Sequence, residues 1–316
     1  DTQRRWESTW GFPVPAMRGW TTGEMVARSA AGDVDLFWIV GGNFLETLPD
    51  ADHSRRALSR PRLRIHQDIV LSSSMLVDGD GDTVILPAAT RYESVGGGTE
   101  TSTERRIIYS PEIPGRRVGS AQPEWWAFRE VMRRAWPGRH AQVGMEDAAA
   151  IRSEIAATQP LYAGIEQLRV KGDHVQWGGR LLFADGRFAT PDGKARFAQV
   201  TLGPVPAEDG EFVVSTRRGK QFNSMIQRDV DPLTGAHRDE IFISDDDLSR
   251  LGLATGTEVR LRSKHGEFRG RLRSAPIRSG NLEVHWPEGN VLLPGGVLDP
   301  DSMEPDYNAK VTIDRV

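Results

Sequence analysis

The chain contains no cysteine. That absence excludes disulfides, thiol catalysis, cysteine-ligated zinc and iron–sulfur ligation from anything the chain does alone. Histidine is sparse too: seven in 316 residues, at 53, 66, 140, 174, 237, 265 and 285, with no HExxH and no close pair. A histidine-built metal centre therefore finds no support. No apolar run approaches the roughly 20 residues that a membrane helix needs. The opening Asp1-Thr2-Gln3-Arg4-Arg5 is not followed by an apolar stretch and is not read as a signal peptide. We expect a cytoplasmic protein without a membrane span. An excess of positive charge is also missing. With 40 Lys and Arg against 44 Asp and Glu, the net charge is −4, which argues against a non-specific nucleic-acid binder. The first residue is Asp rather than Met, so a processed chain or a piece of a longer one is expected.

What is present is an ordinary globular composition, 38% hydrophobic and 27% charged. At about 150 residues per domain the length suggests two domains. The first part alternates short apolar strands with helices. Asp35 to Val40 is a strand stopped by Gly41-Gly42-Asn43, and Thr22 to Ala31 before it is helical with Thr22 as N-cap. Asp52 to Ser59 reads as a helix, Leu63 to Ile65 as a strand leading into Gln67-Asp68, and Thr83 to Leu86 as a strand ending at Pro87. This order fits a parallel α/β sheet. Glu124 to Trp136 and Glu146 to Thr158 are helical, while 181–183 and 195–197 look like short strands around the turn Thr190-Pro191-Asp192-Gly193. Residues 204–210 are the linker candidate. Beyond it come strands at 212–216, 240–243, 258–262, 267–273, 282–286 and 310–313, with one acidic capped helix at 244–251. Six short strands suggest a closed barrel. The expected architecture is a partial parallel, Rossmann-like α/β domain over 1–205 and a six-stranded β-barrel over 206–316.

Several segments could carry chemistry. Gly41-Gly42-Asn43 ends a strand where backbone can approach a phosphate or heterocycle, although such a pair is also an ordinary turn. Asp68 follows the next strand; its carboxylate suits a ribose or the N–H edge of guanine, or simply a helix cap. Asp78-Gly79-Asp80-Gly81-Asp82 resembles the start of a calcium loop, but its twelfth position is Ala89 rather than Glu, so it is read as a solvated turn. Gly96-Gly97-Gly98-Thr99 leads into Arg105-Arg106, within a stretch (101–140) holding eight arginines against four glutamates. Such a loop offers N–H and guanidinium donors to anionic oxygens. Residues 215–225, STRRGKQFNSM, bring three cations, three hydroxyls and two amides to the end of a strand. That set suits a pyrophosphate, and equally a solvated hairpin loop.

Taken together, the segments resemble the C-terminal portion of formate dehydrogenase-like molybdopterin oxidoreductase alpha subunits, in order from about Trp10 to Ile313. DLFWIVGGN is similar to that family's strand into a Gly-x-Asn turn. IHQDIVLSSS resembles its V-x-Q-D-x-F-x-T-E-T segment, and DTVILPAATRYESVGGGTETSTERRI its A-D-V-V-L-P stretch. IPGRRVGSAQPEWWAFREV is similar to its P-G dipeptide and acidic-Trp helix start, and FATPDGKARF to its T-P-x-G-x-A-x-F hairpin. STRRGKQFNSM resembles its T-x-R…Q-Y-N-T loop, IFISDDDLSRLGLATGTEVRLRSKHGEFRGRL its D-A-x-x-L-G-L segment, and PEGNVLLP…DPDSMEPDYNAKVTI its ending. The resemblance implies a molybdenum bis(molybdopterin guanine dinucleotide) clamped between two halves. The contacts it implies are Gly42, Asn43, Asp68, Ser72, Thr99 and Arg106 from the α/β part, and Thr216, Arg218, Gln221, Asn223, Asn290 and Tyr307 from the barrel. It implies no catalytic residue and no metal ligand here, because the family's cluster cysteines and molybdenum-ligating Cys or selenocysteine lie in its N-terminal half. The implied partners are that missing N-terminal part, which would hold a 4Fe-4S cluster, and electron-transfer subunits. The implied reaction of the whole enzyme is oxidation of formate to CO2. Two departures are local: Asn308 replaces a usual Lys, and 76–81 adds loop length. The competing reading is a non-catalytic nucleotide- or pterin-binding or subunit-docking module. An enzyme portion should expose an apolar edge on its α/β part.

Overall fold

Helix-start and helix-stop chemistry organises the first third of the chain. In a computed structural model, which describes residues 1–115, 117–142, 144–201, 210–220 and 228–316, helix α1 (Thr2–Trp10) ends on Gly11 in the left-handed region (φ 72°). Helix α2 (Thr22–Ala31) begins with a reciprocal cap. The Thr21 hydroxyl accepts from the Glu24 amide at 3.4 Å, and the Glu24 carboxylate accepts from the Thr21 amide at 2.7 Å. Thr21, not Thr22, is therefore the N-cap, because only its hydroxyl lies three residues before a glutamate. Strand β1 (Leu36–Val40), the one-turn helix α3 (Phe44–Thr47), helix α4 (Ala51–Ser59), and strands β2 (Leu63–Asp68) and β3 (Asp82–Pro87) follow. Then come β4 (Gly98–Thr101), β5 (Arg106–Ser110), α5 (Glu124–Ala135), α6 (Ala148–Thr158) and β6 (His174–Gln176). The last third holds β7 (Phe212–Arg217), β8 (Glu240–Ile243), α7 (Asp245–Leu251), β9 (Glu258–Arg262), β10 (Glu267–Ser274), β11 (Asn281–His285) and β12 (Asn308–Arg315).

The chain divides into two units. One comprises Asp1–Arg18 and Leu86–Gly203, the other Gly19–Ile85 and Pro204–Val316. The second unit holds the parallel sheet and the barrel. Strands β1 and β2 run parallel in register from Leu36↔Leu63 to Val40↔Gln67, and the sheet order is β1-β2-β3. Its core is Val26, Phe37, Ile39, Ala57, Leu58 and Val77, supplied by alternate positions of β1, by the inward faces of α2 and α4, and by the connection between β2 and β3. The barrel closes in the order β10-β8-β11-β7-β12-β9, with β10·β8 and β11·β7 parallel. The inward positions Phe212, Val214, Ile241, Ile243, Val259, Leu261, Leu272, Leu282 and Val284 are almost completely buried. Each fully buried aliphatic chain contributes about 1.5–3 kcal/mol of transfer free energy. The α/β sheet with helices and the closed six-stranded barrel are the architecture expected from the sequence.

The first unit contains an element the sequence reading lacked, the antiparallel sheet β4-β5-β6. Its core is Ile107, Tyr109, Ile165 and Leu168. The strands expected at 181–183 and 195–197 do not form. Phe183 takes φ 52° and stacks on Phe188 with centroids 4.5 Å apart, while Phe188 N donates to Gly193 O across a turn. Among the described residues neither three-residue segment has a neighbouring strand to complete a ladder. The linker candidate at 204–210 lies outside the described residues except for Gly210.

Candidate functional site

Parallel strands deliver their C-terminal ends to one edge, and that is where the second unit collects its polar groups. After β1, Gly41 and Gly42 both adopt left-handed backbone (φ 66° and 86°), which an L side chain resists. Gly41 N donates to Gln67 O at 2.8 Å, tying this turn to the end of β2. The Asn43 carbonyl then accepts from the Glu46 and Thr47 amides. The Asn43 side chain reaches the turn after β2: Nδ2 donates to Ser73 Oγ at 2.9 Å, and Oδ1 accepts from Ser74 Oγ at 2.5 Å. Ser73 Oγ also donates to the Glu46 carboxylate at 2.6 Å, and Ser74 Oγ accepts from Leu45 N at 3.1 Å. Asp68 accepts from its neighbour's amide, Ile69 N, at 2.7 Å. Ser72 Oγ is buried and has no hydrogen-bond partner among the described residues.

The barrel contributes a matching edge where β7 and β11 end side by side, with Thr216 opposite Val284 and Arg217 opposite His285. Arg217 pairs with the fully buried Asp231 at 3.2 Å. The exposed Arg218 lies with its guanidinium 5.5 Å from the Trp286 ring centroid. His285 is fully buried, and neither ring nitrogen has a partner among the described residues. Burial, and then the charges of Arg217 and Arg238, hold its pKa below the ordinary imidazole value. Asn290 is buried; its Nδ2 donates to Glu46 O at 2.9 Å, and its Oδ1 has no partner among the described residues. Gly289 beside it cannot carry a side chain, since a Cβ would lie 2.3 Å from Val284 Cγ2 and 3.1 Å from Thr216 Cγ2. Tyr307 is half-buried, and burial raises its hydroxyl pKa.

Of the twelve residues singled out in the sequence, Gly42, Asn43, Ser72, Thr216, Arg218 and Asn290 lie on or beside this connected set of contacts. Thr99 and Arg106 belong to the other unit. Thr99 is exposed on β4 opposite Tyr109, and Arg106 heads β5 with its Nε buried and without a partner among the described residues. Gln221 and Asn223 lie outside the described residues. The sequence reading passed over Trp286 and His285, although an aromatic directly after a strand, beside a strand-terminal arginine, was a usable signal. Among the described residues no group of three His, Cys, Asp or Glu could hold a metal, and no helix is long and apolar enough to cross a membrane.

The donor set has a definite chemistry. Arg218 and Thr216 supply donors for anionic oxygens, and the glycine turn admits close approach of a ligand to backbone. The unpartnered Ser72 Oγ and Asn290 Oδ1 are buried polar atoms of the kind that bound groups satisfy. These features fit a pyrophosphate attached to an N–H-bearing heterocycle, as a pterin dinucleotide is.

Comparison with known proteins agrees with this chemistry. Residues 212–311 match the family model described as Molydopterin dinucleotide binding domain. The chain is 28% identical over 331 residues to "Probable oxidoreductase YjgC" of Bacillus subtilis, covering 96% of this chain and 32% of that protein. It is 26% identical over 339 residues to "F420-dependent formate dehydrogenase subunit alpha" of Methanocaldococcus jannaschii, covering 100% of this chain and 48% of that protein. The chain thus spans about a third to a half of the length of these curated relatives. Among solved structures it shares the fold of the acetylene hydratase of Pelobacter acetylenicus, with TM-score 0.62 and 14% identity, covering 100% of this chain and 50% of that one.

Proposed function

The chain belongs to the molybdopterin oxidoreductase family, and on that premise we propose that it is the cofactor-holding region of an enzyme that oxidises formate to CO2. The observation that carries the reading is the pair of buried acceptor and hydroxyl atoms without a partner among the described residues, Asn290 Oδ1 and Ser72 Oγ, on the same chain of contacts as the Gly41–Gly42 turn and Arg218. Leaving such atoms dry costs about 1–3 kcal/mol each, so a ligand that satisfies them binds with that advantage. In this reading the ligand is a bis(molybdopterin guanine dinucleotide). Arg218 and Thr216 hold pyrophosphate oxygens, Asn290 Oδ1 accepts an N–H of a heterocycle, and the glycine turn lets the group lie against backbone. When bound, the molybdenum centre supplies the redox chemistry. This chain's residues bind and orient it. With no cysteine in 316 residues, the molybdenum ligand and a 4Fe-4S cluster belong to further polypeptide, the N-terminal part that the relatives' length accommodates.

The exposed sheet edge supports such a partner. Leu71 and Leu76 are 76% and 77% exposed, and Val84 and Ile85 on β3 are 40% and 46% exposed. Exposed apolar side chains on an edge strand and on the connection leading to it suit a face that another polypeptide covers. We assign formate from the relative named as a formate dehydrogenase subunit, add electron-transfer subunits as further partners, and propose a cytoplasmic assembly. The test is purification from the native source of every polypeptide that accompanies the chain, assayed for molybdenum, for GMP released by acid, and for formate-dependent dye reduction. Two GMP per molybdenum with formate activity is the expected result. Molybdenum and GMP without formate activity would overturn the substrate. Absence of both would leave a docking module.

A further inference from the structure

We propose that Trp286 and Asn290 form a clasp that couples the basic loop after β7 to the Gly41–Asn43 turn, so that an anion held at Arg218 is felt at the end of the parallel sheet. The geometry begins with α3, whose four residues are too few to sustain a helix by themselves. Its last carbonyls have no partner within the helix and must be satisfied from outside. Two barrel side chains do this: Asn290 Nδ2 donates to Glu46 O at 2.9 Å, and Trp286 Nε1 donates to Thr47 O at 3.2 Å. The other end of α3 is fixed by Asn43, Ser73 and Ser74. The single turn between the glycines and the barrel is therefore held at both ends by side chains.

Trp286 is itself immobilised. Its amide donates to Arg217 O at 2.7 Å, and its carbonyl accepts from Arg238 Nη2 at 3.3 Å, on a guanidinium ion-paired with Glu288. One indole thus touches both sides of the candidate site: its ring lies beneath the Arg218 guanidinium, and its N–H holds Thr47. Recruiting Arg218 to an anion changes the cation above that ring, and the indole transmits the change to α3. Trp286 is a positioning residue, and so is the Nδ2 end of Asn290. The clasp stands on the geometry alone, whereas its coupling to an anion rests on the function proposed above.

The test is amide hydrogen exchange on the full chain, without ligand and with millimolar GDP as probe, in wild type, Trp286→Phe and Asn290→Ala. Without ligand, amides 44–48 should exchange about two- to tenfold faster in each variant, the effect of losing one ordinary hydrogen bond. Amides of β8 and β10 should keep wild-type rates, which shows that the barrel has folded. With GDP, wild type should gain protection at 215–220 and at 41–48. Trp286→Phe, which keeps a ring beneath Arg218, should gain it only at 215–220. Wild-type exchange at 44–48 in both variants overturns the clasp. Protection of 41–48 that survives Trp286→Phe overturns the coupling. If GDP protects nothing in wild type, the proposed function and the coupling fail together, while the ligand-free comparison still decides the clasp.

Discussion

Asp247 should be the most consequential single carboxylate for barrel stability. It is fully buried at the start of α7, where its two oxygens accept from four donors. These are Arg250 Nη2 at 2.7 Å, Ser244 Oγ at 2.7 Å, Ser279 Oγ at 2.8 Å and Gly280 N at 2.8 Å. Burial alone would raise its pKa, but these donors outweigh it and hold the carboxyl at about 2 instead of 3.8. At about 1.4 kcal/mol per pH unit, that difference makes ionised Asp247 worth about 2.5 kcal/mol to the folded state. Because the folded value lies below the unfolded one, the contribution is complete above about pH 5 and disappears as pH falls through 3.8 toward 2. Asp247→Asn keeps the shape, removes the charge and turns an amide NH2 toward existing donors. Urea unfolding followed by circular dichroism should therefore show a loss of about 2–4 kcal/mol at pH 7, narrowing by about 2.5 kcal/mol near pH 2. A loss below about 1 kcal/mol at pH 7, or one that does not change with pH, would refute this account of the network.

Three other outcomes follow from the same geometry. His66 is 1% exposed, and burial together with Arg64 lowers its pKa to about 4. Its NMR ring signals should stay constant from pH 8 to 5 and move only near 4, and stability should fall as pH drops from 6.5 toward 4; titration near 6.5 in the folded chain would contradict this. Gly270→Ala in β10 would place a Cβ 2.2 Å from Asp239 O and 2.9 Å from Phe268 Cε1, so thermal melting should show a loss of about 1–3 kcal/mol or more, and wild-type melting would show that the strand shifts freely. Arg218→Ala should weaken GDP binding measured by calorimetry about five- to fifty-fold without moving the urea midpoint, because the side chain is exposed and lies over the Trp286 ring.

The fold was legible where the sequence pattern is local. Asp35 to Val40 ends in glycines, so β1 and its turn stood out; the acid-rich SDDDL announced α7, and HG between two alternating runs announced the β9–β10 hairpin. Illegible were pairings that depend on distant partners. Strand β5 meets β6 only across more than sixty residues, and β4 opens with glycine and carries threonines and a glutamate that read as a solvated loop. The reverse error arose at 181–183, where Phe183, without a neighbouring ladder, stacks on Phe188 instead.

At the candidate site a motif foretells a residue type but not which of its groups remains free. An asparagine amide has a donor end and an acceptor end, and the two can serve different masters. Asn43, placed by resemblance against a bound cofactor, has both ends engaged by Ser73 and Ser74, so its side chain shapes the turn. Asn290 divides: Nδ2 belongs to Glu46, and Oδ1 stays open. Anchoring the donor end fixes which way the amide faces, and that makes the open oxygen selective for an N–H. Asn290→Asp tests the division. A carboxylate would repel the Glu46 carbonyl while still offering an acceptor, so 44–48 should loosen about as much as in Asn290→Ala. If Oδ1 reads an N–H, GDP binding should fall less in Asn290→Asp than in Asn290→Ala. Equal losses of binding would mean that only the donor end matters.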